Sequence, residues 1–159
     1  MKICFVCQGN IIRSPLAENL FRYYAEKNGV AEHFIVDSAG TSAYHVGEPP
    51  DHRMRQVASN KGFEYSGKSR QFQRDEFKNH DLIIAMDRDN FRVLKSWAAS
   101  PEESSKLRMM REFGSVGGAG LDVPDPYYGG IDGFDITYEI VKNSVEALFK
   151  ELEGGLDRS

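Results

Sequence analysis

Cys7 and Arg13 bracket the stretch Cys7-Gln8-Gly9-Asn10-Ile11-Ile12-Arg13-Ser14-Pro15, and together they can do chemistry on phosphorus. A thiolate is a strong nucleophile, and a guanidinium presents a planar fork to two phosphate oxygens at once. Gly9 and Asn10 tolerate positive φ, so the residues between can curl until successive N–H groups point inward. Such amides, set at a helix N-terminus, form a receptor for a tetrahedral oxyanion. Their field favours thiolate over thiol, and cysteines at helix starts fall to a pKa of roughly 3.5–7.5. The Ser14 hydroxyl is placed to donate to the sulfur. A nucleophile on the floor of a phosphate cup implies attack on phosphorus and a phosphocysteine intermediate.

Alone, Cys-x5-Arg is a pattern that chance supplies easily, and cysteine is common in buried strands. The flanking elements give it weight. Ile3–Val6 is a short apolar run that reads as a buried strand. Ser14-Pro15 reads as an N-cap followed by proline at the first helical position, which predicts a helix from about Pro15 to Asn28. Leu16, Leu20, Phe21 and Tyr24 recur on its inner face.

Further along, Phe34-Ile35-Val36 reads as a second buried strand, after which Asp37-Ser38-Ala39-Gly40-Thr41 is expected to loop out. Tyr44 follows in this loop, where it is as well suited to walling a ligand pocket as to anchoring the loop. His45 and His52 have no partners at metal-ligand spacing and read as ordinary polar residues. Asp51 to Lys61 predicts a helix with Met54, Val57 and Ala58 inward. Phe63–Arg74 reads as irregular, Arg70 in it as a solvated or loop-tethering charge, and Arg74–Asn79 as a short helix. Leu82–Met86 is a clear strand, Asp87 the N-cap of a helix Arg88–Trp97, and Lys106–Met110 a weaker fourth strand. The alternation of strand and helix argues for an α/β fold with a parallel sheet covered on both faces. Ligands in such sheets bind beyond the carboxyl ends of the strands, where Cys7 falls.

The second informative region is the glycine-dense run 111–133, expected to be a long, mobile loop. Within it, Asp125-Pro126-Tyr127-Tyr128-Gly129-Gly130 combines a carboxyl held by the following proline with two aromatics. By itself this is an Asp-Pro turn with packing tyrosines. A last amphipathic helix is expected from about Asp135 to Leu152, with Tyr138, Val141, Val145, Leu148, Phe149 and Leu152 in one stripe.

Composition narrows the classes. At 159 residues the chain suits a single domain, 1–159, with 40% hydrophobic and 28% charged residues. A formal net charge of −4 gives no support for nucleic-acid or anionic-membrane binding. No stretch approaches a membrane span and no N-terminal signal is visible. Cys4 and Cys7, three apart in a strand, lie roughly 10 Å apart on opposite faces, too far for a disulfide. A working thiolate belongs in a reducing cytoplasm.

The N-terminal Cys-x5-Arg-Ser-Pro, the distant Asp-Pro-Tyr-Tyr-Gly and the chain length together resemble the low-molecular-weight protein tyrosine phosphatase family. The likeness runs along the whole chain, including Asp37-Ser38-Ala39-Gly40 and Ala85-Met86-Asp87. It implies a three-layer α/β/α fold with a four-stranded parallel sheet in the order 2-1-3-4. It further implies Cys7 as nucleophile, Arg13 as transition-state clamp and Asp125 as general acid. Gln8, Gly9, Asn10, Ile11, Ile12, Arg13 and Ser14 would bind phosphate, with Asn10 and Ser14 holding the loop and the thiolate. Tyr44, Tyr127 and Tyr128 would contact the substrate ring. Phosphotyrosine proteins or peptides would be the substrates, phosphate, sulfate or vanadate the active-site ligands, and no cofactor or metal would be needed.

Two positions depart from that family. Ile12 stands where a second loop cysteine is common, and Gly67 where a histidine is often seen ahead of the Arg-Gln pair, here Arg70-Gln71. The alternatives are an arginine phosphatase, an arsenate reductase, a phosphocysteine carrier and a non-catalytic phosphate-binding module. Relatives specific for phosphoarginine tend to have threonine where this chain has Ile11. The reductase relay needs further cysteines, and a carrier has no use for Asp125.

Overall fold

The computed structural model describes residues 1–114 and 122–156. Four parallel strands, β1 (Lys2–Cys7), β2 (Ile35–Gly40), β3 (Leu82–Ala85) and β4 (Leu107–Met109), form one sheet in the order β2-β1-β3-β4. Five α-helices accompany them among the described residues: α1 (Arg13–Lys27), α2 (His52–Asn60), α3 (Arg88–Trp97), the short α4 (Pro101–Ser104) and α5 (Ile131–Gly154). Cys7 pairs with Gly40 at the carboxyl edge of the sheet.

The period of two along β1 divides the core. Ile3, Phe5 and Cys7 face α1, α2 and α5, in one cluster with Leu16, Phe21, Met54, Tyr138 and Phe149. Cys4 and Val6 face the other way, against Phe72, Phe77 and Leu94 of α3. The result is three layers, as the strand-helix alternation predicts. The two cysteines are free thiols on opposite faces of β1.

Several local expectations are corrected. Helix α1 begins at Arg13 with Ile12 at its N-cap, so Ser14 lies inside the helix and caps nothing. Strand β2 runs through Gly40 where a loop is predicted from Asp37, because pairing with all of β1 outweighs the weak β propensity of Asp-Ser-Ala-Gly. Ile35, read as buried, is 65% exposed because β2 is an edge strand. Helix α5 starts at Ile131, ahead of Asp135 and through Gly133. Of the run expected to be a mobile loop, residues 115–121 lie outside the described residues. Asp87 caps α3 as read, accepting from Asn90 N, while Asp51, read as the first residue of its helix, instead caps α2 by accepting from Arg53 N. No helix among the described residues is long and apolar enough to cross a membrane.

Candidate active site

Residues 8–12 connect β1 to α1 in a tight ring, and bonds to its carbonyls set its curvature. Cys7 O accepts from Thr41 N at 2.9 Å, Gln8 O from Ser42 N at 3.0 Å and Ile11 O from Asp51 N at 2.8 Å. Gly9 O accepts from Ser69 Oγ at 2.9 Å. In a trans peptide the N–H points opposite to the C=O, and no peptide described here is cis. Drawing these carbonyls outward therefore turns the amides of Gln8, Gly9, Asn10 and Ile12 into the cup. Helices α2, α3 and α4 carry side-chain caps, whereas α1 and α5 have none. No side chain therefore occupies the first-turn amides of α1.

Asn10 is the hinge of the ring and has a φ of +55°, the one positive value among described non-glycine residues. Asparagine tolerates that region because its side chain bonds locally. Here Asn10 Nδ2 donates to Ser14 Oγ at 2.8 Å and to Ser38 Oγ at 3.0 Å, while Oδ1 accepts from Arg70 N at 3.0 Å. Ser38 Oγ in turn donates to Glu18 Oε1 at 2.6 Å. Since Ser14 Oγ already accepts from Asn10, its own hydrogen is free for Cys7 Sγ at 3.0 Å, closer than the alternative Ala39 O at 3.4 Å. That polarity suits a sulfur anion.

Cys7 and Arg13 are each 2% exposed, on the floor of a pocket of about 330 Å³. Arg13 Nη1 donates to Asp87 Oδ2 at 2.7 Å and to Val123 O at 3.0 Å, and Nη2 to Asp125 Oδ2 at 3.4 Å. Burial opposes its charge, but the Cys7 sulfur and the Asp87 and Asp125 carboxylates more than offset this and hold the guanidinium above its ordinary value. Cys4 is the opposite case. Burial first, then Asp37, push its thiol well above the usual range, so it stays protonated.

The structure brings Cys7, Gln8, Gly9, Ile11, Ile12, Arg13, Tyr44, Asp125, Tyr127 and Tyr128 to this one pocket. Asn10 and Ser14 lie behind the ring, buried, and hold it. Tyr44 and Tyr128 stand at the mouth, 85% and 96% exposed. Sequence reading missed several members. His45 lies between Tyr44 and Tyr127, with ring centres 4.7 and 5.9 Å away, and its Nδ1 is bonded to Glu48. Asp87 has a second task on Arg13 beyond its cap. Ser38, Glu18 and Ser69 have no local signal, because their partners are distant in sequence.

The structure also supplies the tether that Gly67 leaves open. Arg70 N and Ser69 Oγ hold the ring directly. The Arg70 side chain pairs with Asp37 at 3.2 Å and Glu76 at 2.8 Å. His80 completes the cluster, Nδ1 facing Glu76 O at 3.0 Å and Nε2 facing Asp37 Oδ1 at 3.0 Å. Cys4, Asp37 and His80 are the one group of metal-ligand type that converges among the described residues. Both imidazole nitrogens there face acceptors, so this is a hydrogen-bonded ion cluster rather than an open metal cage.

A parallel α/β sheet ending in a thiol ringed by amides and a buried guanidinium defines a class of phosphate-loop proteins. The chain belongs to the low molecular weight phosphotyrosine protein phosphatase family, whose description matches residues 2–157. It is similar to the low molecular weight protein-tyrosine-phosphatase of Streptomyces coelicolor, with 40% identity over 158 residues and 96% of each chain covered. A protein tyrosine phosphatase from Entamoeba histolytica, crystallised with Hepes in the active site, matches with a TM-score of 0.90 at 39% identity over 98% of each chain. At lower identity, 27%, the YwlE arginine phosphatase from Bacillus subtilis, in a form with a phosphorylated active site serine, matches with a TM-score of 0.85 over 98% of this chain and 97% of its own.

Proposed function

We propose that the chain hydrolyses phosphotyrosine in proteins or peptides, and small aryl phosphates, in two steps. First, Cys7 Sγ attacks phosphorus and the P–O(aryl) bond breaks. Asp125 gives its proton to the departing oxygen, leaving a phenol and S-phosphocysteine. In the second step water attacks phosphorus, its proton passes to Asp125, the S–P bond breaks and inorganic phosphate departs. Arg13 and the ring amides stabilise charge on the equatorial oxygens in both steps. Asp87 holds Arg13 in place, and Ser14 supports the sulfur each time it carries charge.

The observation that carries this reading is convergence. Cys7, Arg13 and Asp125 come from opposite ends of the sequence to one pocket walled by Tyr44, Tyr127 and Tyr128. With the sulfur on the floor and rings at the mouth, a long aryl phosphate fits where a short alkyl phosphate falls short. A free, catalytic thiol suits a reducing compartment such as the cytoplasm.

The likeness to an arginine phosphatase defines the competing outcome, and Ile11 in the pocket favours the aryl substrate. Turnover of phosphotyrosine and phosphoarginine peptides by wild type, Cys7→Ser and Asp125→Ala tests both. Cys7→Ser is expected to be inactive yet to bind phosphate. Asp125→Ala is expected to lose about 10²–10⁴ in kcat/KM on poor leaving groups and far less on activated esters. A wild type that prefers phosphoarginine, or a Cys7→Ser that still turns over, rejects the proposal.

A further inference from the structure

Asp125 lies more than a hundred residues from the phosphate loop, and its own contacts do not fix it over the sulfur. Its bond to Arg13 Nη2 is 3.4 Å, long for an ionic hydrogen bond. Its Oδ1 accepts from Tyr127 N at 3.1 Å, which orients the carboxylate only within its own turn. The side chain is 41% exposed.

Arg53, in the first turn of α2, supplies the missing connection. Its Nε and Nη2 grip Asp51 Oδ1 at 3.1 Å and Oδ2 at 2.8 Å as a two-pronged pair. The N–H of Asp51 donates to Ile11 O, inside the phosphate loop. On its other side Arg53 Nη1 donates to Tyr127 O at 3.1 Å. The guanidinium carbon lies 5.4 Å from the Tyr127 ring centre and 4.5 Å from that of Phe134, a fully buried residue of α5. Phosphate loop, Asp51, Arg53, Tyr127 and Asp125 thus form one chain of direct contacts.

We infer that Arg53 is a positioning residue for the general acid, holding the Asp125–Tyr127 turn at a fixed distance from the phosphate loop. The inference rests on the assignment of Asp125 in the proposed function. Its stiffness comes from three sources. The forked pair with Asp51 fixes the guanidinium plane, and the charge lies within cation–π range of the Tyr127 and Phe134 rings. Pro126 then locks φ between the residue that is gripped and the residue that reacts. Lysine has neither fork nor plane, so it cannot replace all three contacts.

An acid displaced by a fraction of an ångström costs most where the leaving group most needs a proton. The test is kcat/KM for wild type, Arg53→Met, Arg53→Lys, Asp125→Ala and the double variant Arg53→Met/Asp125→Ala. The substrates are aryl phosphates running from dinitrophenyl to phenyl phosphate. The readout is the ratio of activities on the two ends of the series. It does not depend on the fraction of folded enzyme, so reduced stability cannot imitate the effect. The α2 cap also survives substitution, since it uses the backbone N–H of Arg53.

Arg53→Met is expected to lose about 10–100 times more on phenyl phosphate than on the dinitrophenyl ester. Arg53→Lys should fall in between. In the Asp125→Ala background the ratio should not change further, because the two residues act on one proton transfer. An equal loss across the series, or a full additional change in the double variant, overturns the inference while leaving the proposed function standing. If wild type fails on all aryl phosphates, or Asp125→Ala shows no leaving-group dependence, the proposed function falls and the inference falls with it.

Discussion

Gly40, which is not in the phosphate loop, is the glycine on which that loop depends. It ends β2 directly beneath the ring, and a Cβ placed there would meet Gln8 O at 2.6 Å, Gly9 C at 3.2 Å and Asn10 Cβ at 3.2 Å. Gly40→Ala meets no conformational objection, because Gly40 does not adopt positive φ. The clash is with main chain, so the ring must retreat by at least about 0.4 Å. Overpacking of this kind costs about 1–3 kcal/mol, or roughly 2–12 °C in Tm at 2–4 °C per kcal/mol for a chain of this size. Because the displaced atoms are those that turn the amides toward phosphate, activity should fall by more than stability does, by about 10–100-fold in kcat/KM. Phosphate and vanadate should bind correspondingly less well.

Gly9→Ala is the control. A Cβ at Gly9 would meet His45 Cδ2 at 3.0 Å and Ile11 Cγ1 at 3.7 Å, both side-chain atoms. Side chains yield, so this variant should stay within a few-fold of wild type and melt near it. Steady-state kinetics on an aryl phosphate, vanadate titration and thermal melts of the two variants give the comparison. If Gly9→Ala is as damaging as Gly40→Ala, or Gly40→Ala binds vanadate as wild type does, the account of the ring as shaped from beneath is wrong.

Two further outcomes follow from the charged cluster behind the ring and from Ile12. Burial lowers the His80 pKa, but the bond to Asp37, the Glu76 carbonyl and the charges of Asp37 and Glu76 reverse this and raise it above 6.5. For Asp37 burial raises the value, while His80 and Arg70 lower it below 3.8 overall. The His80 contribution is therefore complete below about pH 6.5 and lost as pH rises through its folded value. The Asp37 contribution is present above about pH 3.8 and lost as pH falls through its folded value. In urea unfolding, the stability of wild type relative to His80→Gln should be largest between these limits and shrink toward pH 9. A difference that does not change with pH would remove His80 from the account. The second outcome concerns oxidation. Cys4 faces the other side of the sheet and Ile12 has no thiol, so a sulfenate at Cys7 has no internal thiol with which to form a disulfide. Prolonged peroxide should inactivate the protein with poor recovery in dithiothreitol, and near-complete recovery would refute this.

What the sequence disclosed, and what it hid, divides by the range of the interactions involved. The sheet was legible because Ile3–Val6 and Leu82–Met86 are short apolar runs between polar breaks, and their burial is a local property of composition. Ser14-Pro15 marked the helix start correctly to within two residues, but for the wrong reason. Its hydroxyl serves the sulfur and Asn10, and the start of the helix has no side-chain cap. Asp87 read as a cap, which it is, yet its pairing with Arg13 joins residues 74 apart that only the β1–β3 neighbourhood brings together. The reach of β2 to Gly40 was hidden for the same reason, since Asp-Ser-Ala-Gly is a strand only where β1 is available to pair with it. Arg53 gave no signal at all, because an arginine in the first turn of a helix is ordinary and its two partners lie on other elements.

The carbonyls of Cys7, Gln8, Gly9 and Ile11 are gripped from outside the ring, by the chain after β2, by Ser69 and by the start of α2. An anion receptor made this way draws its shape from the peptide backbone, while Ile11 and Ile12 also anchor it in the core and the Gln8 side chain stays exposed. Those three positions face the pocket. Of the three, Gln8 is the position where preference among phosphate esters can be altered by substitution without opening a cavity beneath the ring.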